Sequence, residues 1–432
     1  MDCIIDKNKV HEIMCKRGIL TQQDLADKMK ITKNQLSVTL SEKTNPFKSS
    51  FTKLCSVLDV SPVELLLEKE KTNIQTDMFQ DKEMEYCNTA KVVPCKKYHS
   101  LELFAGAGGL ALGLEEAGFQ EEGLIEIDKY ATETLRINRP NWNVIEEDII
   151  KVAENNIKTY LKGKKDIDMI SGGYPCQAFS YAGNKMGLSD VRGTMFYYFA
   201  QIIDQLKPKL FLAENVKGLI NHDGGKTIKT MIAIYEDLGY NVSYHLLKAV
   251  NYNVAQKRER VIIVGIQNKY AVKYRPPKPF DHQLVLRDVL KDVPDSIGEK
   301  YSQKKKEVLK LIPPGGYWKD LPEDIAKAYM GKSYYSGGGR TGMARRLSWD
   351  EPSLTLTCSP AQKQTERCHP DEIRPFTVRE YARIQSFPDQ WAFYGSMGQQ
   401  YKQIGNAVPV ALAKVIGLSL IDVLNQIERL SQ

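Results

Sequence analysis

Cys176 sits in GGYPCQAFS at 172–180, a loop shaped by two glycines and a proline at the exit of an apolar run, Ile167–Ser171. Most cysteines are small core hydrophobes. One held in such a loop, at the ligand-bearing edge of an α/β sheet, is placed for nucleophilic attack. A free thiol with a pKa of about 8.5 is a few per cent thiolate at neutral pH, so depressing that pKa raises the reactive fraction by at most about thirtyfold. Enzymes typically supply about a millionfold or more, so another group must stabilise whatever the sulfur attacks. Glu214 is that candidate: it interrupts the apolar run LFLAENV at 210–216 and lies beside Cys176 if the two strands are neighbours. In AQKRERVIIVGI at 255–266, Arg258 and Arg260 alternate on one face with Gln256 as the chain enters a buried strand. Guanidinium forks favour bidentate contacts to anions, which makes a phosphate or the catalytic carboxylate the natural partner.

A second constellation binds rather than reacts. LELFAGAGGLALGLEEAG at 101–118 reads as a strand, a turn containing Gly106, Gly108 and Gly109, and then a helix. Such glycines let a backbone approach a ligand and free the first N–H groups of the helix to meet it. The spacing is not GxGxxG. About twenty residues on, Glu126 ends the next strand, where a carboxylate can accept both hydroxyls of a ribose. Asp148 follows a further strand-like run and can accept an exocyclic amino group. Together they suit an adenosine-bearing cofactor better than a pyrophosphate one.

Positioning these groups takes a sheet. The candidate strands are Leu101–Phe104, Gly123–Ile127, Ile167–Ser171, Leu210–Ala213 and Val261–Ile266, with amphipathic stretches between them. That alternation predicts an α/β fold, a mostly parallel sheet with helices on both faces. From about Tyr270 to Thr357 the chain turns irregular and basic, then helical again from Phe376. In residues 1–70 helix starts are marked at Thr21 with Asp24, Thr32 with Gln35, and Ser61 with Pro62 and Glu64. Two short amphipathic helices meeting at Lys30–Ile31 have helix-turn-helix geometry. Their second member offers Lys33, Asn34, Gln35, Ser37 and Thr39 to phosphates and base edges. The domain reading is therefore 1–70 helix-turn-helix, 71–98 linker, 99–269 α/β domain carrying the candidate site, 270–395 a smaller loop-rich lobe, and 396–432 a C-terminal segment.

Composition agrees with a multidomain globular chain: 432 residues, 42% hydrophobic and 26% charged, with a formal charge of +7 that permits a polyanionic partner. Eight cysteines without a CxxC pair are not a disulfide scaffold, and six histidines form no ligand cluster, so no metal is expected. No run approaches the roughly 18 uninterrupted apolar residues of a membrane span, and the start lacks a signal pattern. We read the chain as soluble and cytoplasmic.

The N-terminal region resembles Cro/repressor helix-turn-helix domains through TQQDLADKMKITKNQLSVTLSEKTNPF and LDVSPVELL. That likeness implies an all-α, five-helix fold on duplex DNA, commonly as a dimer. From about residue 100 the chain resembles the DNA (cytosine-5) methyltransferases of restriction–modification systems, with FAGAGG, IEID, PCQ, ENV, QKRER, RPFTVREYARIQSFPD and QIGNAVP in order. The resemblance implies a Rossmann-like S-adenosylmethionine-dependent methyltransferase fold, target recognition by the 270–395 lobe, completion of the catalytic domain by 396–432, and the methyl donor S-adenosyl-L-methionine. Cofactor contacts would fall on Phe104, Gly106, Gly108, Gly109, Leu110, Glu126, Ile127, Asp148, Ile149, Pro175, Asn406 and Ala407. It makes Cys176 the nucleophile, Glu214 the acid on the base, Arg258 and Arg260 the bracing guanidiniums, and Gln177, Ser180 and Thr355 contacts to DNA. The implied activity is methylation of carbon 5 of a cytosine flipped out of a specific duplex, protecting DNA from a companion nuclease, by a monomer whose N-terminal domain dimerises on operator DNA as an autoregulatory repressor. The alternatives are a DNA-binding regulator with an inactive methyltransferase half, or a transfer-RNA methyltransferase on the same fold.

Overall fold

The computed structural model describes residues 3–5, 7–19, 21–40, 51–60, 65–68, 85–161, 166–175, 194–335 and 341–431. It divides into two compact units, 1–84 and 85–432.

In the first unit the expected start signals operate. Thr21 Oγ1 accepts from Asp24 N while the Asp24 carboxylate accepts from Thr21 N, at 3.1 and 2.9 Å, and this capping box opens the helix Gln22–Lys28. Thr32 and Gln35 repeat the reciprocal pattern before Lys33–Thr39. Lys30, at φ +52°, turns the chain between the two. Leu25, Ala26, Met29, Leu36, Leu54 and Leu58 form the core, the last two from the helix Phe51–Leu58. A short antiparallel pairing of Cys3–Ile5 with Leu66–Glu68 adds a β element that the helical pattern does not announce. Thr39 is buried, its hydroxyl donating to Gln35 O at 2.9 Å, so it is no DNA contact. The start signal at Ser61, Pro62 and Glu64 lies outside the described residues.

The second unit is built on seven strands: β1 Tyr98–Leu103, β2 Phe119–Glu126, β3 Val144–Glu146, β4 Met169–Gly172, β5 Leu210–Val216, β6 Tyr240–Lys248 and β7 Glu259–Gln267. Their order is β3-β2-β1-β4-β5-β7-β6, with β7 antiparallel to both neighbours and the other pairs parallel. The reversal follows from chain length. Only residues 249–258 separate β6 from β7, and a parallel return needs a crossover of about a dozen residues or more. Strand β6 escaped the sequence reading because it is an edge strand with mostly half-buried side chains and no apolar run.

Helices cover both faces. Leu101, Leu103, Ile170, Phe211 and Ile263 pack against α4 (Met195–Leu206) and α5 (Lys226–Asp237). Tyr98, Met169, Leu212 and Ile262 pack against α1 (Gly109–Ala117) and the C-terminal α8 (Val410–Ser431). By length and composition alone the stretch Met397–Leu430 is apolar enough to cross a membrane, but 78% of its apolar window is buried in the protein, as a core helix requires.

Two further cores complete the unit. One joins Ala105, Ala107, Leu112, Leu124 and Leu135 to Tyr381 and Trp391, so α6 (Val378–Ile384) and the chain after it pack on the glycine turn. The other, around Tyr301, Leu309, Ile312, Trp318 and Met330, supports the irregular region. There Arg346 donates to three backbone carbonyls, of Ile312, Pro370 and Asp371, and Lys305 pairs with the buried Glu366, so both hold the lobe together.

Candidate active site

The site forms on the edge of the sheet where β1, β2, β4 and β5 end and the antiparallel β7 begins. Pairing of β4 with β5 puts Gly172 opposite Ala213, which makes Glu214 the neighbour of the chain leaving β4. A Cβ on Gly173 would stand 2.7 Å from Glu214 Oε2, so only glycine admits the carboxylate there. Asn215, buried, donates from Nδ2 to Tyr174 O at 3.0 Å and fixes the same stretch to β5. Tyr174 packs among Phe104, Phe196 and Phe199. Pro175 follows, exposed. Cys176, Gln177 and Ser180 lie outside the described residues.

Glu214 and Arg260 are diagonal neighbours on one face, since Val216 lies opposite Arg260 and Ile262 opposite Glu214. Arg260 Nε and Glu214 Oε1 are 2.7 Å apart, with side chains 12% and 13% exposed. Burial pushes the Arg260 guanidinium below its ordinary pKa, and the carboxylate opposes that shift. Arg258 takes a different partner from the one expected. It is 1% exposed, and it donates from Nη1 to Leu356 O at 3.3 Å and from Nη2 to Asn406 O at 3.5 Å, while its Nε has no hydrogen-bond partner among the described residues. Burial, and then repulsion by Arg260, push its pKa down. Arg260 is thus the cation on the carboxylate, and Arg258 ties β7 to the late segments.

Gln256, fully buried, reinforces that tie. Its Nε2 donates to Gln385 Oε1 at 2.8 Å, and its Oε1 accepts from Leu356 N at 2.9 Å. Gln385 Nε2 in turn donates to Ile404 O and Ala407 O. Gln385 and Asn215 were not singled out from sequence. Their signal was an amide at the border of an apolar stretch, a weak one without the partners in view. Ser353–Leu354 pairs in parallel with Gln256–Lys257, and the Thr355 hydroxyl donates to Lys257 O at 3.0 Å.

The glycine turn and Glu126 form a second constellation at the same edge of the sheet. Gly106 has φ +55° with nothing within 4 Å of the position of a Cβ, and its N–H donates to Glu126 Oε2 at 2.8 Å. Phe104 also turns through the left-handed region, at φ +59°. Gly108 caps α1, and Leu110 is buried beneath. Glu126 Oε1 accepts from the backbone N–H groups of Ile127 and Asp128, so one carboxylate organises both turns. Ile127, 65% exposed at the end of β2, offers an apolar surface. Asp148 caps α3 (Ile149–Glu154) through Ile150 N, with Ile149 buried. Asn406 ends α7 (Met397–Asn406), where its Oδ1 accepts from the exposed Cys358 thiol at 3.0 Å, and Ala407 follows. In the first unit Lys33, Asn34, Gln35 and Ser37 are exposed, although the Gln35 amide oxygen is engaged in the cap.

Comparison with known proteins agrees with this arrangement. Residues 98–422 match the C-5 cytosine-specific DNA methylase family, and residues 9–67 match the Cro/C1-type HTH DNA-binding domain. The chain is 54% identical over 429 residues to the Type II methyltransferase M.Sau96I of Staphylococcus aureus, covering 98% of this chain and 99% of that one. It is 57% identical over 350 residues to M.PspPI of a Psychrobacter strain, covering 79% and 83%. A solved structure of Spodoptera frugiperda DNMT2 shares the fold at 19% identity, with a TM-score of 0.55, covering 75% of this chain and all of that one. The chain belongs to the C-5 cytosine-specific DNA methylases, as a Type II DNA methyltransferase that also carries a Cro/C1-type helix-turn-helix domain.

Proposed function

We propose that the protein methylates carbon 5 of a cytosine flipped out of a specific duplex sequence, using S-adenosyl-L-methionine, and thereby protects DNA from a companion restriction enzyme. The carrying observation is the Glu214–Arg260 pair, nearly buried and held against Gly173, three residues before Cys176. Carbon 5 of cytosine is a poor nucleophile. Addition of Cys176 Sγ to carbon 6 forms an S–C bond and moves the electron pair to carbon 5. Glu214 hydrogen-bonds or protonates ring nitrogen 3 as charge develops, where exclusion of water strengthens the contact. Arg260 keeps the Glu214 carboxylate oriented. S-adenosyl-L-methionine supplies an electrophilic methyl group. Loss of the proton from carbon 5 to water then returns the electron pair and expels the thiolate. Open space before Gly106, the Glu126 carboxylate and the exposed Ile127 fit an adenosine-bearing donor.

Flipping costs a few kcal/mol, which backbone contacts from the 270–395 lobe offset. In this reading the 396–432 segment completes the donor pocket, the 1–70 domain dimerises on operator DNA and represses its own operon across the 71–98 linker, and the enzyme works in the cytoplasm as a monomer. A duplex carrying 5-fluorocytosine tests the chemistry, since its carbon 5 cannot release a proton. With methyl donor present, the protein should become covalently attached through Cys176, and absence of that adduct sinks the reading. A truncation beginning near residue 90 should methylate normally and lose binding to its own promoter.

A further inference from the structure

The helix α2 (Lys129–Asn138) begins directly after Glu126 and Ile127, and α7 ends at Asn406. These are two separate walls of the donor pocket. Along their inner length uncharged bonds join them, directly where Thr134 Oγ1 donates to Gln403 Oε1 at 2.6 Å, and otherwise through the 392–394 segment, where Gln403 Nε2 donates to Tyr394 O and Asn138 exchanges two bonds with Ala392. At the pocket end the direct bond between the two helices' ends, among the described residues, is an ion pair. Lys402 Nζ donates to Asp128 Oδ2 at 2.8 Å, and Oδ1 of the same carboxylate accepts from Tyr130 N to cap α2. The Asp128 N–H meanwhile donates to Glu126 Oε1, so a shift of Asp128 moves the acid proposed to hold the ribose. Lys402 stands one turn before Asn406 and is within electrostatic reach of Glu126 and Cys358.

We infer that Lys402 is a positioning residue: through Asp128 it fixes the Glu126–Ile127 turn against the end of α7 and so sets the affinity for S-adenosyl-L-methionine. This rests on the methyl-donor reading above. The pair is half exposed on the lysine side, with side chains 50% and 25% exposed, so its loss leaves the fold standing. Its effect falls on donor affinity, where two walls must hold their spacing.

The test is calorimetric titration of the full chain with S-adenosylhomocysteine, alongside steady-state methylation and thermal melting. Lys402→Gln should weaken binding about fivefold, the factor of an ion pair near the upper end of the exposed range. That loss should appear in KM for the donor rather than in kcat, and added salt should narrow the gap to wild type. Lys402→Arg should restore affinity to within about twofold. Asp128→Asn, which keeps the capping oxygen, should match Lys402→Gln, and the double variant should be no worse than either single one. Wild-type binding with an unchanged Lys402→Gln overturns the inference. So does a loss confined to kcat and melting temperature, which would mark Lys402 as structural. Wild-type protein that binds neither S-adenosylhomocysteine nor S-adenosyl-L-methionine overturns the methyl-donor reading as well.

Discussion

Glu214→Gln separates the stabilising role of the Glu214–Arg260 pair from its chemical one. The amide keeps the size of the side chain and an oxygen that can accept from Arg260, and it removes the charge and the acidic proton. Arg260 is 12% exposed, so it becomes a nearly buried cation without its counter-charge. Removing one partner of a buried pair costs about 3–5 kcal/mol, and the retained hydrogen-bond acceptor brings the expected loss toward about 2–3 kcal/mol. The barrier changes by another route. A positioned acid contributes about 10²–10⁴ in rate, equivalent to about 3–5 kcal/mol at 1.36 kcal/mol per decade. Single-turnover transfer of tritiated methyl to DNA from a methylation-deficient host should therefore slow about 10²–10⁴-fold below the melting transition. The companion variant Glu214→Gln/Arg260→Met deletes the orphaned cation. It should recover much of the melting temperature and none of the rate, because contacting residues couple. A folded Glu214→Gln enzyme within tenfold of wild type would refute the assignment of the acid.

Other expectations follow from the same structure. Glu121 stands opposite Ser100 on the neighbouring strand, and burial raises its carboxyl pKa to about 8, with the Glu115 and Glu122 carboxylates adding to the rise. A raised folded pKa gives stability that is full below the unfolded value near 4.5 and drains as pH climbs toward the folded value, so the melting temperature should fall from pH 5 to 8 and Glu121→Gln should flatten that slope by about 2–4 °C per kcal/mol recovered. Thr21→Ala removes one half of the capping box and should cost the first unit about 1 kcal/mol, lowering promoter binding in a gel-shift assay with kcat unchanged. Gln385→Leu strands the Gln256 Nε2 donor and the Ala407 carbonyl, each about 1–3 kcal/mol if left unsatisfied, while the Ile404 carbonyl keeps its bond from Ala407 N, and should lower the melting temperature by several degrees in calorimetry.

Groups that end apolar runs were legible in the sequence. Glu214 breaks LFLAENV, Glu126 ends a strand, and glycines stand where the backbone turns through positive φ, as at Gly106 and Gly108. The alternation of runs and loops carried five of the seven strands and marked a strand-like run before Asp148, where β3 lies. Pairings over long sequence separation were not legible. Nothing in QKRER says that Arg260 meets Glu214 while Arg258 meets Leu356 and Asn406, because the choice depends on the register of β7. Gln385 and Lys402 read as ordinary polar positions on amphipathic helices until partners more than a hundred residues away come into view. Arg346 sits in the basic, irregular stretch, and its carbonyl partners arise from loops without a periodic signal.

The antiparallel insertion of β7 divides the chain into a part that cannot change length and one that can. Side chains on a strand alternate faces, so a single residue added between 249 and 258 that slipped β7 against β5 would turn Arg260 away from the carboxylate it serves. Between Gln267 and the pairing at Ser353 the sheet's register is not at stake, because β7 is already placed before the irregular chain begins. With that stretch in its proposed role of reading DNA, a foreign segment spliced in there would bring a new recognition sequence while the reaction centre stays as it is, a route by which evolution redirects the enzyme without relearning its chemistry.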